Sequence, residues 1–220
     1  MTNDNEFRGF SRKAVTFLSN LRDNNERAWF NDHKSDYERE IREPAKAFAL
    51  DMGSALKELT GRAHGHKIFR IHRDVRFSKD KTPYNTHLHI AFIPESEKPS
   101  PPCWFFGLDP DGLTLGTGIF AFDKDDLDSF RRRVLGPDGT RLSELVQRLE
   151  KEGIRFGKPD LKRIPSGYPN EHPAADLLRY KGFSAWTDHA DSMTATDPAL
   201  VWICGRDFAR LKPVFDWLSL

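Results

Sequence analysis

The sequence has little cysteine, almost no net charge and no long apolar segment, and each shortage excludes a class of protein. Its 220 residues include two cysteines, Cys103 and Cys204, whose separation fits neither a disulfide framework nor a cysteine-based zinc finger. The 34 Lys and Arg residues against 33 Asp and Glu give a net charge of +1, which marks neither a nucleic-acid nor a membrane binder. No stretch approaches the roughly 18 apolar residues of a membrane span, and residues 1–5 do not begin like a signal peptide. We therefore expect a soluble cytoplasmic globular protein with no membrane partner.

The composition is sufficient for a core. Hydrophobic residues make up 38% of the chain, and they include 17 Phe, 5 Trp and 4 Tyr. Such a content argues against disorder, and the length favours one globular domain over residues 1–220. No internal repeat is present.

Helical spacing of apolar residues dominates both ends of the chain. Ser11 is a predicted N-cap, and an apolar series from Tyr37 to Leu59 predicts a long helix that is kinked or restarted near Glu43-Pro44 and ends around Gly61. Further helices are predicted after Asp123, after Thr140, from Pro173 to near Gly182, and after Asp197-Pro198.

Between these helical regions the apolar period changes to two. Alternation at Phe69/Ile71 and over residues 88–92 predicts strands, and Asp109-Pro110-Asp111-Gly112 is a hairpin turn between two more. Strands joined by short turns favour an antiparallel β meander packed with N-terminal and C-terminal helices. The predicted class is α+β.

Residues 62–89 carry an unusual concentration of positive charge: seven Lys and Arg, two acids and five of the eight histidines. If the strand that begins at Phe69 continues to Phe77, Arg73 shares a face with apolar residues and needs an acidic or anionic partner, whereas Asp74 and Arg76 point the other way. The segment is therefore an anion-binding or charge-network site, or else a solvated basic strand edge.

The turn that follows, residues 78–85, contains Lys81 and Tyr84 but lacks the glycine-rich pattern of a nucleotide-binding P-loop. The lysine side chains of this turn are still suited to binding a phosphate or carboxylate group. Two histidine pairs, His64/His66 and His87/His89, are weak metal signals because no third ligand is apparent from the sequence.

A second polar segment, residues 165–173, places Glu171 and His172 before the predicted helix at Pro173. Ionisable side chains beside free backbone N–H groups are suited to ligand binding, but His172 is equally suited to capping.

Four motifs carry a resemblance to a known family: Trp29-Phe30-x-x-His33-Lys34-x-x-Tyr37, Arg73-Asp74-x-Arg76-Phe77-x-x-Asp80-Lys81-x-Pro83-Tyr84, Pro165-x-Gly167-Tyr168-x-x-Glu171-His172-Pro173 and Arg179-x-Lys181. Taken together, these segments resemble an uncharacterised family, domain of unknown function 2461, over roughly residues 10 to 186. Asn85 stands where a basic residue is expected. The resemblance guides the prediction of the fold and the choice of site residues but implies no reaction.

These residues predict a basic pocket for an anionic small molecule that carries a phosphate or carboxylate. Its ligand-binding residues are Arg73, Asp74, Arg76, Lys81 and Lys181, and its candidate catalytic residues are Glu171 and His172 for proton transfer and Tyr84 for orienting the ligand. We expect the central and C-terminal motifs to converge on one cleft.

Two other functions fit the same residues. One is a nucleic-acid or protein interaction module that uses Phe69, Phe77 and Tyr84 for stacking, and the other is a buried ion network with a purely structural role. The sequence leaves catalysis open and identifies neither a cofactor nor an oligomeric state.

Overall fold

The structure, a computed structural model, describes residues 7–220, and its contacts divide them into two compact units. The expectation about a signal peptide at residues 1–5 falls outside the described residues, and the expectation of a single domain stays a prediction. The first unit contains the described residues up to Glu95 with Phe105–Leu115 and Asp188–Asp207; the second contains Ser96–Trp104, Gly116–Thr187 and Phe208–Leu220.

The first unit begins with helices whose ends follow from their capping residues. Ser11 is the N-cap of α1 (Arg12–Asp23), and its hydroxyl accepts a hydrogen bond from the Ala14 N–H at 3.1 Å, as predicted. Two short helices follow, α2 (Arg27–Asp32) and α3 (Lys34–Asp36).

The predicted kink near Pro44 is a change of helix type. A π-helical turn over Tyr37–Arg42 leads directly into α4 (Glu43–Thr60). Pro44 lies in the first turn of α4, where its missing N–H costs no intrahelical hydrogen bond. Gly61, with φ of 74°, ends the helix in a left-handed conformation that glycine adopts without strain.

Six strands form one antiparallel sheet in the order β1-β2-β3-β4-β6-β5. The first four are neighbours in chain order, which confirms the predicted meander and, with helices on both sides of it in the chain, the α+β class. The short strand β5 and the strand β6 were not predicted. The strands are β1 (His64–Ile68), β2 (Leu88–Pro94), β3 (Cys103–Asp109), β4 (Gly112–Ile119), β5 (Arg155–Phe156) and β6 (Phe183–His189).

The predicted turn between β3 and β4 is confirmed. The Asp109 carboxylate accepts hydrogen bonds from the N–H groups of Asp111 and Gly112 at 2.8 and 3.1 Å. This side-chain pairing with the backbone is the reason why aspartate favours such turns.

The strand predicted at Phe69 and Ile71 is wrong, and the chain does not continue as a strand to Phe77. Beyond Ile68 the ladder is reduced to one isolated bridge between His72 and Tyr84, and Phe77 is 96% exposed instead of lying on an apolar face. Pro83 has no N–H to continue a ladder, and the carboxylates of Asp74 and Asp80 bind nearby backbone N–H groups, which favours turns.

Three α-helices follow the meander. The helix predicted after Asp123 is α5 (Lys124–Val134), with Asp123 as its N-cap, whereas α6 (Pro137–Lys151) begins three residues before Thr140. The last helix, α7, spans Leu200–Ser219.

The predicted helix from Pro173 to near Gly182 is reduced to a 3-10 turn over Ala175–Arg179. β6 begins at Phe183, so little more than one tight helical turn is formed before the chain becomes extended. A second 3-10 turn covers Ser192–Thr196.

Aromatic side chains fill the core of each unit. In the first unit the Phe48 ring of α4 is fully buried against Phe7, Phe92 and Phe106, with ring centroids 4.5 to 6.4 Å apart. In the second unit Trp104 stacks on Phe215 at 4.6 Å. Burial of each such ring contributes about 2 kcal/mol or more. Over residues 7–220, no helix has both the length and the apolar composition that crossing a membrane requires.

Candidate functional site

The basic segment that connects β1 to β2, residues 69–87, is a loop folded back on itself; we call it the basic loop. The Arg73 N–H donates to the Pro83 carbonyl at 2.9 Å, and the Asn85 N–H donates to the Ile71 carbonyl at 2.7 Å. At the base of the loop the Phe69 N–H donates to the His89 carbonyl at 2.9 Å. These bonds hold the two halves of the loop side by side although it is not a regular hairpin.

Asn25, which precedes α2, fixes this loop to the N-terminal helices. Its amide nitrogen donates to the Tyr84 carbonyl at 2.9 Å, and its amide oxygen accepts from the Tyr84 N–H at 3.0 Å. Sequence reasoning did not assign Asn25 to the site. A side-chain amide is suited to this role because it carries both a donor and an acceptor.

Tyr84 is buried, with 5% of its surface exposed, and its ring stacks on Phe30 at a centroid distance of 4.1 Å. Together with the Asn25 bonds, this stack makes Tyr84 an anchor of the basic loop. Its predicted role in orienting a ligand stays a prediction.

Arg73 has the acidic partner that the sequence analysis required. Its Nη1 atom donates to Asp80 Oδ2 at 2.6 Å and also to the Thr82 carbonyl and hydroxyl. Hydrogen bonds from the Thr82 N–H and from Arg73 lower the pKa of Asp80 to about 2. The Nε and Nη2 atoms of Arg73 make no hydrogen bond within residues 7–220, so these donors are available to a ligand.

Two other predicted ligand-binding cations are engaged within the loop. Arg76 pairs with Asp74 through Nε and Nη2, the shortest contact being 2.6 Å, and Lys81 Nζ donates to the Val75 carbonyl at 3.0 Å. Both contacts are solvent-exposed, and exposed pairs of this kind contribute little to stability.

The loop and the first residues of β2 line an open surface cavity of about 340 Å³, which we call the loop cavity. Arg70, which sequence reasoning counted only as one of several cations, contributes to its wall and has no salt bridge among the described residues. Arg76, Lys81 and Tyr84 do not line it. The lining residues are Phe69, Arg70, His72, Arg73, Asp74, Asn85, His87 and His89.

Three imidazole rings of the loop cavity have no hydrogen bond in the part of the chain that the structure describes: His72, His87 and His89. The rings of His87 and His89 stack at a centroid distance of 3.7 Å. Burial lowers the pKa of His87; the charge of Asp109 opposes this effect and that of Arg73 reinforces it, so the ring is neutral at pH 7. No group of three or more His, Cys, Asp or Glu side chains suited to hold a metal ion occurs within residues 7–220.

The C-terminal motif belongs to the second unit. Glu171 is exposed, and His172 Nδ1 accepts a hydrogen bond from the Ala174 N–H at 3.1 Å, which is a capping contact. Lys181 is exposed, and its backbone N–H donates to Asp160 Oδ2 at 2.6 Å. The expected helix start is absent here, and the expected convergence with the basic loop stays a prediction.

The fold and the loop cavity define a class of α+β protein in which a short irregular loop between two strands holds a cluster of guanidinium and imidazole groups. The chain belongs to a family described as a conserved hypothetical protein, DUF2461, whose sequence profile matches residues 13–217. The match includes α7, beyond the limit near residue 186 that the motifs indicated. A comparison with functionally curated proteins gives no match.

Proposed function

We propose that the loop cavity binds a small anionic ligand through a phosphate or carboxylate group. The observation that supports this most directly is the placement of Arg70 and Arg73 in one cavity with three imidazole rings whose nitrogens have no partner among the described residues. Guanidinium groups bind carboxylate and phosphate oxygens through two parallel N–H donors, and neutral imidazoles supply further donors.

The charge of the cavity supports an anion. Asp74 is the acid that lines it, and this carboxylate is already paired with Arg76. Arg70 makes no salt bridge in residues 7–220, and its charge acts on Asp74 only from a longer distance, where it helps to lower the pKa of that carboxyl. An anion beside Arg70 and the free donors of Arg73 would therefore gain charge-assisted hydrogen bonds without displacing an existing salt bridge.

The size of the cavity supports a small ligand. A volume of about 340 Å³ lies at the lower end of the range typical of small-molecule sites. We propose that the ligand is encountered in the cytoplasm, which the two free thiols of Cys103 and Cys204 favour. Whether a reaction follows binding, with Glu171, His172 or Tyr84 as catalytic groups, is a separate prediction.

A second candidate is binding of single-stranded nucleic acid at the outside of the basic loop. Phe77 is 96% exposed, and the Arg76 guanidinium lies 5.9 Å from the centroid of its ring. Exposed aromatic rings beside cations are typical of stacking platforms for bases. This candidate predicts oligonucleotide binding that weakens in a Phe77→Ala variant and falls steeply with salt.

Calorimetric titration with inorganic phosphate and with citrate tests the proposed function. We expect Arg70→Met to weaken binding by about tenfold or more, since a hydrogen bond to a charged group contributes roughly 1.5–3 kcal/mol. Arg62→Met is the matched control because Arg62 is exposed and does not line the loop cavity. Equal affinities for the two variants, or no binding to the unaltered protein at millimolar anion, would refute the proposal.

A further inference from the structure

A second cavity of the first unit lies between α1 and the helical segment that runs from α2 into the π-helical turn. It has a volume of about 320 Å³, and it shares no lining residue with the loop cavity. We call it the helix cavity. Its lining residues are Lys13, Thr16, Phe17, Asn20, Trp29, His33, Asp36, Arg39 and Glu40.

Helical spacing explains why these side chains line one cavity. Residues 13, 16, 17 and 20 follow the spacing i, i+3, i+4, i+7 along α1 and therefore share one face of that helix. On the other side Trp29 and His33 lie four residues apart, and Arg39 and Glu40 belong to the π-helical turn, a type of turn that occurs frequently at functional sites. Trp29 and His33 are also part of the first family motif, which the loop cavity does not use.

Three rings give the helix cavity an apolar wall. The Trp29 indole stacks on the His33 imidazole at a centroid distance of 4.1 Å, and the Phe17 ring lies 5.7 Å from the indole. Phe17 is buried, whereas Trp29 and His33 are half-buried. An indole combines a large apolar surface with one N–H donor, so this wall is suited to a ligand that is itself partly apolar and partly polar.

The charged groups of the cavity balance one another. Arg39 donates through Nε to Glu40 at 2.7 Å and through Nη2 to Asp36, and the Ser11 hydroxyl donates to Glu40 at 2.6 Å. The hydrogen bonds from Ser11 and Arg39 and the nearby charge of Lys13 lower the pKa of Glu40 against the opposing effect of burial, so this carboxylate is ionised at pH 7. The formal charges of two cations and two carboxylates cancel, which favours an uncharged ligand.

Hydrogen-bonding groups of both kinds remain available in the cavity. The side chains of Lys13 and Asn20 and the indole N–H of Trp29 make no hydrogen bond within residues 7–220. His33 Nδ1 donates to the Trp29 carbonyl at 2.8 Å, so Nε2 of the neutral ring is an acceptor. An ammonium and an indole N–H donate, whereas an amide both donates and accepts. An apolar ligand would leave these groups without hydrogen bonds, which is costly, and a ligand with several hydroxyls would satisfy them.

We propose that the helix cavity binds one pyranose ring of a neutral sugar. Its hydroxyls would bond to Lys13, Asn20 and the Nε2 atom of His33, and its apolar C–H face would pack against the aromatic wall that contains Trp29. The volume of the cavity, at the lower end of the range for small-molecule sites, suits a single ring. This site is independent of the anion site proposed for the loop cavity.

Saturation-transfer NMR and calorimetric titration of the full chain with glucose, mannose, galactose and N-acetylglucosamine test the inference. We expect at least one of these sugars to bind with millimolar affinity, and the saturation to be strongest at the ring protons of one face. Because the interaction involves no net charge, the affinity should change by less than about twofold between low and high salt.

Asn20→Ala should weaken sugar binding by about fivefold, since it removes a donor and an acceptor whose hydrogen bonds each add a few-fold in affinity. Asn31→Ala is the matched control, because Asn31 is an exposed asparagine that does not line the helix cavity. Trp29→Leu should also weaken binding. If its lost ring contacts prevent folding, Asn20→Ala decides alone, since the Asn20 side chain is exposed and its loss breaks no hydrogen bond within residues 7–220.

Three results would overturn the inference: no binding of any of the four sugars at tens of millimolar, equal affinities for Asn20→Ala and Asn31→Ala, or binding that weakens steeply with salt. Arg70→Met should leave sugar binding unchanged, because Arg70 lines the loop cavity and not the helix cavity. A failure here would therefore leave the proposed anion site standing, and the converse also holds.

Discussion

The pair of hydrogen bonds between Asn25 and Tyr84 makes a sharp prediction about stability. Asn25→Ala removes both bonds, of 2.9 and 3.0 Å, and leaves the Tyr84 N–H and carbonyl without their partner in a part-buried environment. Each bond contributes about 1 kcal/mol net, so we expect the free energy of unfolding to fall by about 2 kcal/mol. For a chain of this length that corresponds to a decrease in Tm of roughly 4–8 °C.

Urea denaturation followed by tryptophan fluorescence measures the change in free energy, and amide hydrogen exchange locates it. The Tyr84 amide should exchange faster in Asn25→Ala, whereas the Asn85 amide, which donates to the Ile71 carbonyl at 2.7 Å, should keep its protection relative to the global stability. Asn31→Ala is the control, since Asn31 is an exposed asparagine of α2, and a surface change of this kind alters stability by about 0.5 kcal/mol or less. The reasoning is refuted if the two variants are equally stable and the Tyr84 amide exchanges at its original rate.

Two further predictions concern pH. The pKa of Asp80 is lowered to about 2 from its ordinary 3.8, so its stabilising contribution is complete above pH 4 and is lost as the pH falls towards 2. The difference in stability between the unaltered protein and Asp80→Asn, measured by urea denaturation, should therefore shrink over that window. A constant difference would contradict the prediction. The pKa of His87 is lowered because burial disfavours the imidazolium, so NMR titration should give a midpoint below 6.5. Stability should fall as the pH decreases from 6.5 to that midpoint, because the unfolded chain takes up the proton first. A midpoint at or above 6.5 would contradict the prediction.

The helices and the meander could be predicted because their signals are local. Ser11 and Asp123 cap helices through bonds to backbone N–H groups three residues away, and the apolar stripe from Tyr37 continues through the π-helical turn into α4. The turn at Asp109 is equally local. In each of these cases the residues that decide the structure lie within one or two turns of the chain.

The basic loop and the segment after Pro173 could not be predicted in the same way. Alternation of apolar residues favoured a strand through Phe77, but the side chains of Asp74 and Asp80 bind the backbone of the loop instead. Asn25 acts on a residue 59 positions away, and no local pattern identifies such a partner. The family resemblance supplied the motif but not the geometry.

The need of Arg73 for an acidic partner could be predicted from the sequence, whereas the lack of a salt bridge at Arg70 could not. Arg73 needs an acidic partner because desolvating a guanidinium is costly, and this requirement holds although the strand in which Arg73 was expected does not form. Asp80 meets it from within the same loop, leaving the side chain 25% exposed. Because this salt bridge and the Thr82 contacts all use Nη1, Arg73 is held in place while its other donors remain available. Arg70 makes no salt bridge in the described chain, and it lines the loop cavity together with Arg73. A guanidinium without a salt bridge, beside one that the loop holds in place, is the arrangement that an anion would complete.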